Sequence, residues 1–397
     1  YAAGGCKNGS GIDGMIERYL KILLALTLFF VLSIQAQAAE ENSYSDIENL
    51  YKEQFEASGS DKLAEYLDKN TKEYLRDIGC EEPDYNGILD FSLKSVVDVL
   101  LKMLRLNISS PLKGCLTACA AVMAVSVCSA FFPDDEKTKG VLNLICGSFV
   151  LISVFIPATD ALRTGVSAMK LCAGFEKMLI PVLAAVLTVS GNPVTALSYQ
   201  GAAFAAAQTV EAFAQDFALP LVMISGALGA VGAFLPTLRL SAVSDMLRKS
   251  VQTCVGVVSG LFSGFIAIKK IIGISADGMA AKGVKLVTST FVPVIGGALS
   301  EAYSSMTAGL SLLRSTVGIY GIIAVAAICL PSIINLALWV LAMRASATVS
   351  ELLGNYQCAE ILKNISFMFS MLNVILIFSA AVFIISSGTV AAIKAGG

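Results

Sequence analysis

Histidine is absent from all 397 residues. That removes the commonest general base near neutral pH, the usual zinc ligand and the middle member of a Ser-His-Asp triad. Most hydrolytic and metal-dependent chemistry is thereby excluded, and a non-enzymatic protein is expected. Charge is scarce as well, since Asp, Glu, Lys and Arg make up 15% of the chain, against about a quarter in a soluble domain. No Gly-Lys-Ser/Thr phosphate loop, Gly-rich dinucleotide turn or basic-aromatic nucleic-acid surface occurs, so no cofactor and no nucleic-acid partner are implied. What fills the chain instead is apolar sequence, 56% hydrophobic with a mean hydropathy of +0.74, the balance of a membrane protein whose partner is the lipid bilayer.

The few charges are unevenly spread. Residues 40–90 carry 15 acidic and 5 basic side chains, a net of −10, which leaves +8 for the remainder of a chain whose total is −2. Nine of the ten cysteines lie outside this acidic stretch, and Cys80 is alone within it, so no intrachain disulfide is expected there. Cys115 and Cys119 share one helix face and read as small apolar packing residues.

Residues 1–14 form a polar, Gly-rich leader, and Met15 opens a cleaner pattern that reads as the natural start. Arg18 and Lys21 precede an apolar run, Ile22 to Ile34, and Ala36-Gln37-Ala38 fits a small-x-small cleavage site. Residues 15–39 therefore read as a signal peptide whose basic flank stays in the cytoplasm while the following segment is exported. In that segment, residues 40–110, apolar side chains recur at three- and four-residue steps (Leu63, Tyr66, Leu67; Tyr74, Leu75, Ile78), the mark of amphipathic helices. Breaks are expected at Ser58 to Asp61 and at Gly79 to Gly87, after which a third helix runs into the membrane.

Residues 111–397 read as an all-α, multi-spanning membrane domain. Charge-free stretches lie at 114–132, 140–159, 178–210, 217–238, 250–268, 286–300, 315–343 and 364–393; with about 20 residues needed per crossing, roughly seven crossings are expected. Short motifs recur in order: Ile180 to Ala185 with Val292 to Gly297, Leu219 to Val222 with Leu330 to Ile333, and Val243 to Leu247 with Val349 to Leu353. They suggest a duplicated unit of about 110 residues, with halves near 165–270 and 277–388. The breakers Pro181, Gly191, Asn192 and Pro193 in one half and Pro293, Gly296 and Gly297 in the other, with Pro181 aligned on Pro293, suggest broken or re-entrant helices that point to a pathway. Glu211, Asp216 and Glu301 are flanked by apolar sequence and are the carboxylates expected to be buried. Glu176 is grouped with Asp160, Arg163, Lys170 and Lys177 in an amphipathic connector at the membrane interface.

The order of these features, with Phe175-Glu176-Lys177-Met178-Leu179-Ile180-Pro181, the Ser190-Gly191-Asn192-Pro193 break and Phe291 to Ser300, resembles the stage III sporulation protein AE family of endospore-forming bacteria from Met15 onward. The resemblance implies a subunit of a secretion-like channel, or feeding tube, in the mother-cell membrane around the forespore. It also implies other proteins of the sporulation stage III A operon as partners, including a cytoplasmic ATPase, and a channel partner on the forespore side. The competing reading is a self-sufficient secondary transporter for a small solute, because duplication and broken helices are expected there too.

Overall fold

The computed structural model describes residues 55–83, 93–131, 136–190, 192–234, 242–258, 260 and 296–391. Among these there is no strand, and nearly every residue is helical. Residues 1–39, where a leader and a signal peptide are expected, lie outside the described residues.

The acidic segment contains a 3-10 helix, Ser60–Tyr66, entered through Gly59 in the left-handed region (φ 72°). Helix α1, Lys69–Ile78, follows. Its first turn is capped by Asp68, which accepts from the Thr71 amide at 3.3 Å and from the Thr71 hydroxyl, and it ends on Gly79 at φ 89°, a conformation that favours glycine. Leu63, Leu67, Leu75 and Cys80 are buried, whereas Tyr66, expected on the same stripe, is exposed. Lys102, from the next helix, donates to Glu73 at 2.8 Å and to Asp77 at 2.6 Å, and the Tyr320 hydroxyl donates to the Glu81 carbonyl at 3.5 Å. The acidic helices are thus docked onto the long apolar helices.

Helices α2 (Leu93–Asn107) and α3 (Ser109–Ala130) are separated by Ile108 alone, whose backbone is itself helical. The largest departure from expectation is α4, Glu136–Val189, one helix of 54 residues. It absorbs the expected run at 140–159, the charged connector and the first part of the run at 178–210, and it passes through Pro157 and Pro181 without ending. A proline removes one backbone donor and crowds the preceding turn, yet here helix continues on both sides. Helix α5, Pro193–Ala212, joins α6, Leu219–Phe234, through a π-helical turn at Phe213–Ala218. A helix at 242–258, α7, precedes α8 (Gly296–Leu352, 57 residues) and α9 (Tyr356–Ala391).

Among the described residues five helical segments are long and apolar enough to cross a membrane: Lys94–Cys128, Pro157–Val189, Pro193–Ala233, Gly309–Leu352 and Tyr356–Gly388. The expected runs at 250–268 and 286–300 lie partly outside the described residues. Two of the three repeat pairs can be compared in part. Pro331 lies inside α8, whereas Pro220 is the second residue of α6, directly after the π-helical turn; residues 243–247 lie in α7 and residues 349–352 in the last turn of α8.

The core lies where α4, α8 and α9 meet. Ser190 faces Leu310, Leu179 faces Gly321 and Gly165 faces Leu336; numbers fall on one helix as they rise on the other, so α4 and α8 are antiparallel. Phe175, Tyr320, Trp339, Phe369 and Phe383 are fully buried there, with Trp339 stacked on Phe369 at 5.3 Å between ring centroids. By contrast Leu116, Ile145, Ile152 and Phe155 on α3 and the first half of α4 are exposed, the surface a lipid solvent would cover.

Candidate functional site

Helix α4 ends at Val189 and α5 starts at Pro193, while Pro181 stays inside α4. Asn192 is buried with a non-helical backbone (φ −119°, ψ 57°), and Pro193 takes the first helical position of α5, where its missing N–H costs nothing. The freed groups are satisfied locally. The Asn192 amide donates to Leu187 O at 3.0 Å, its side chain donates to Ser190 O at 3.0 Å, and the Ser190 hydroxyl lies 2.6 Å from Val186 O and 3.4 Å from Leu310 O. Irregular backbone at membrane depth is tolerated when buried against protein in this way. Gly191 and Pro293 lie outside the described residues; Gly296 and Gly297 form the first residues of α8.

The carboxylates expected to be buried are distributed otherwise. Glu211 is half-buried at the end of α5 and pairs with Lys177 Nζ at 2.6 Å. Asp216 is exposed in the π-helical turn, which corrects the expectation of burial: that turn points its acidic residue away from the bundle. Glu301 is in α8, and its side chain lies outside the described residues.

The carboxylate that is buried is Glu176, at 1% exposure, with neither oxygen within hydrogen-bond geometry of a partner. It interacts with Cys172 one turn earlier on α4 and with Tyr199 of α5. The Ser386 hydroxyl of α9 faces it, and Tyr199 Oη is 3.3 Å from Ser386 Oγ. Four helices away in sequence, Arg314 of α8 is also buried at 1% exposure, with Nε and Nη1 unpartnered. A periodicity signal for both was present. Glu176 shares its face with Cys172, Leu179, Ile180 and Leu183, and Arg314 with Leu310, Leu313 and Val317, all buried.

Two further features have structural explanations. Arg248 of α7 lies 4.4 Å from the Phe367 ring and binds Asn364, clamping α7 onto α9. An open cleft of about 550 Å³ between α3 and α4 is lined by Ser110, Lys113, Thr117 and Ser153 among others, but the Thr117 and Ser153 hydroxyls donate to their own helices. No cluster of three or more His, Cys, Asp or Glu side chains suited to a metal occurs among the described residues.

Comparison with known proteins gives the lineage. The family model for stage III sporulation protein AE matches residues 72–394. The stage III sporulation protein AE of Bacillus subtilis (strain 168) is 26% identical over 237 residues, a match spanning 58% of this chain and 58% of the relative's own length. No solved structure matches. With the family pattern covering the whole helical bundle from α1 to α9, the chain belongs to the stage III sporulation protein AE family.

Proposed function

We propose that this chain is a non-enzymatic, multi-pass subunit of a secretion-like channel linking mother cell and forespore, acting as conduit or platform in the mother-cell membrane. Family membership supports a role in sporulation, and the observation that carries the rest is the pairing of α4 with α8. At 1.5 Å per residue these helices run about 80 and 85 Å, against about 30 Å of hydrocarbon. They are knitted antiparallel from Ser190–Leu310 to Gly165–Leu336. A strut of that length reaches well beyond the bilayer and offers docking length to neighbours. Its own core is filled by aromatic side chains, so a pathway would run between subunits.

In this reading the acidic helices of residues 40–110 are extracytoplasmic, and the partners are the other stage III A-operon proteins, a cytoplasmic ATPase among them, and a forespore-side channel component. The chain supplies framework, and energy comes from the ATPase. The test is genetic and local. An endospore former lacking its own family member should arrest after engulfment, and this chain should restore spores. Leu at Gly296 and Gly297, or at Gly191 and Pro193, should abolish rescue while the protein stays in the membrane at normal level. Full rescue by both variants would remove the helix-break segments from the mechanism.

A further inference from the structure

We propose that Glu176 is a proton-binding site inside the membrane helices, closed in its acid form and requiring the α4–α5–α9 junction to open before it can ionise. The inference stands apart from the conduit reading, because it rests on the junction alone. Glu176 lies in the apolar segment Pro157–Val189 and is 1% exposed. Around it stand Cys172 of its own helix, Tyr199 of α5 and the Ser386 hydroxyl of α9, with Cys329 of α8 behind Cys172. None of these residues is basic. The basic residue next in sequence, Lys177, turns outward to Glu211.

An isolated carboxylate in such surroundings has neither water nor a cation, and the cost of that exceeds the cost of binding a proton. The neutral acid therefore fits the closed junction, where the polar groups that interact with it are the hydroxyls of Ser386 and Tyr199. The oxygens present are too few to replace the six or more that a hydrated metal cation would lose, which selects a proton as the ligand. Ionisation demands either water or separation of the helices. The Tyr199–Ser386 contact at 3.3 Å joins α5 to α9 beside the site and would part if those helices separate.

The probe is dicyclohexylcarbodiimide, a lipid-soluble reagent to which a protonated carboxyl adds across one C=N bond, with all atoms of both partners retained in the adduct. The purified full chain in liposomes should carry the adduct on the peptide containing Glu176 at mildly acidic pH, and the adduct should be lost as pH is raised. Exposed carboxylates such as Asp216 should remain unmodified. Glu176→Gln should lose the adduct and keep the wild-type melting midpoint at acidic pH. At alkaline pH it should melt above wild type, because the wild-type carboxyl is then driven to ionise in a dry site. The labelling result needs no variant, so it holds even where Glu176→Gln fails to accumulate. Wild-type Glu176 that stays unmodified at acidic pH, or is modified equally at every pH, overturns the proposal.

Discussion

Leu179 of α4 packs against Gly321 of α8 so closely that a β-carbon on Gly321 would stand 2.6 Å from Leu179 Cδ2 and 3.3 Å from Ser387 Oγ of α9. Three helices thus meet at a position that accepts only hydrogen. Gly321→Val is expected to destabilise by about 1–3 kcal/mol through overpacking, read as a lower melting midpoint of the purified protein. Combining it with Leu179→Ala should recover part of the loss, since neighbours that share one space are coupled. Additive losses in the double variant would mean that the contact is not the cause.

Much of this was legible in the sequence. The all-α membrane character, the capped acidic helix ending at Gly79 and the break before Pro193 each rest on local chemistry: periodicity, a positive-φ glycine, a proline at a helix start. The buried charges were not, for one physical reason. A charge between apolar runs was read as interface, but in a bundle of helices longer than the bilayer a charged stretch can continue inside a helix. The face on which each charge falls then decides its burial. Lys177 and Glu176 are adjacent in sequence, yet Lys177 pairs outward with Glu211 while Glu176 faces the core. Asp216 failed in the opposite direction, because apolar flanks do not fix which way a π-helical turn points.

Cys80 is fully buried in the acidic unit, and burial pushes its thiol from the ordinary 9.0 up to about 11. A thiol whose folded value is raised holds stability that is complete below about pH 9 and fades as pH climbs through about 11. Native protein should therefore react slowly with N-ethylmaleimide at Cys80 at neutral pH and faster once unfolded in urea, while melting of wild type falls relative to Cys80→Ala above about pH 9. Rapid alkylation of folded protein at neutral pH would contradict this packing.

Topology is best read from an exposed position of α1. Ser60 is buried and bonded to Ser58 at 2.7 Å, whereas Asn70 is exposed. Asn70→Cys should react with an impermeant maleimide added outside intact cells stripped of outer layers, if residues 40–110 are exported. Labelling that appears only after lysis would place the acidic unit in the cytoplasm.

Arg314 contributes a buried guanidinium with two unpartnered nitrogens, an arrangement that costs stability unless function retains it. Arg314→Met should keep or raise the melting midpoint of the purified protein while lowering spore yield in the complemented strain. A lower midpoint with normal spore yield would assign the guanidinium a purely structural role.

Solute flux through liposomes holding the purified chain alone tests the central claim most directly, that this protein works as a subunit and not as an autonomous transporter. The expected result is no gradient-driven uptake beyond that of empty vesicles, for inorganic ions, amino acids or nucleotides alike, with a proton or sodium gradient of either sign. Accumulation of any solute driven by such a gradient, abolished by Glu176→Gln, would contradict the subunit account and make the chain a secondary transporter.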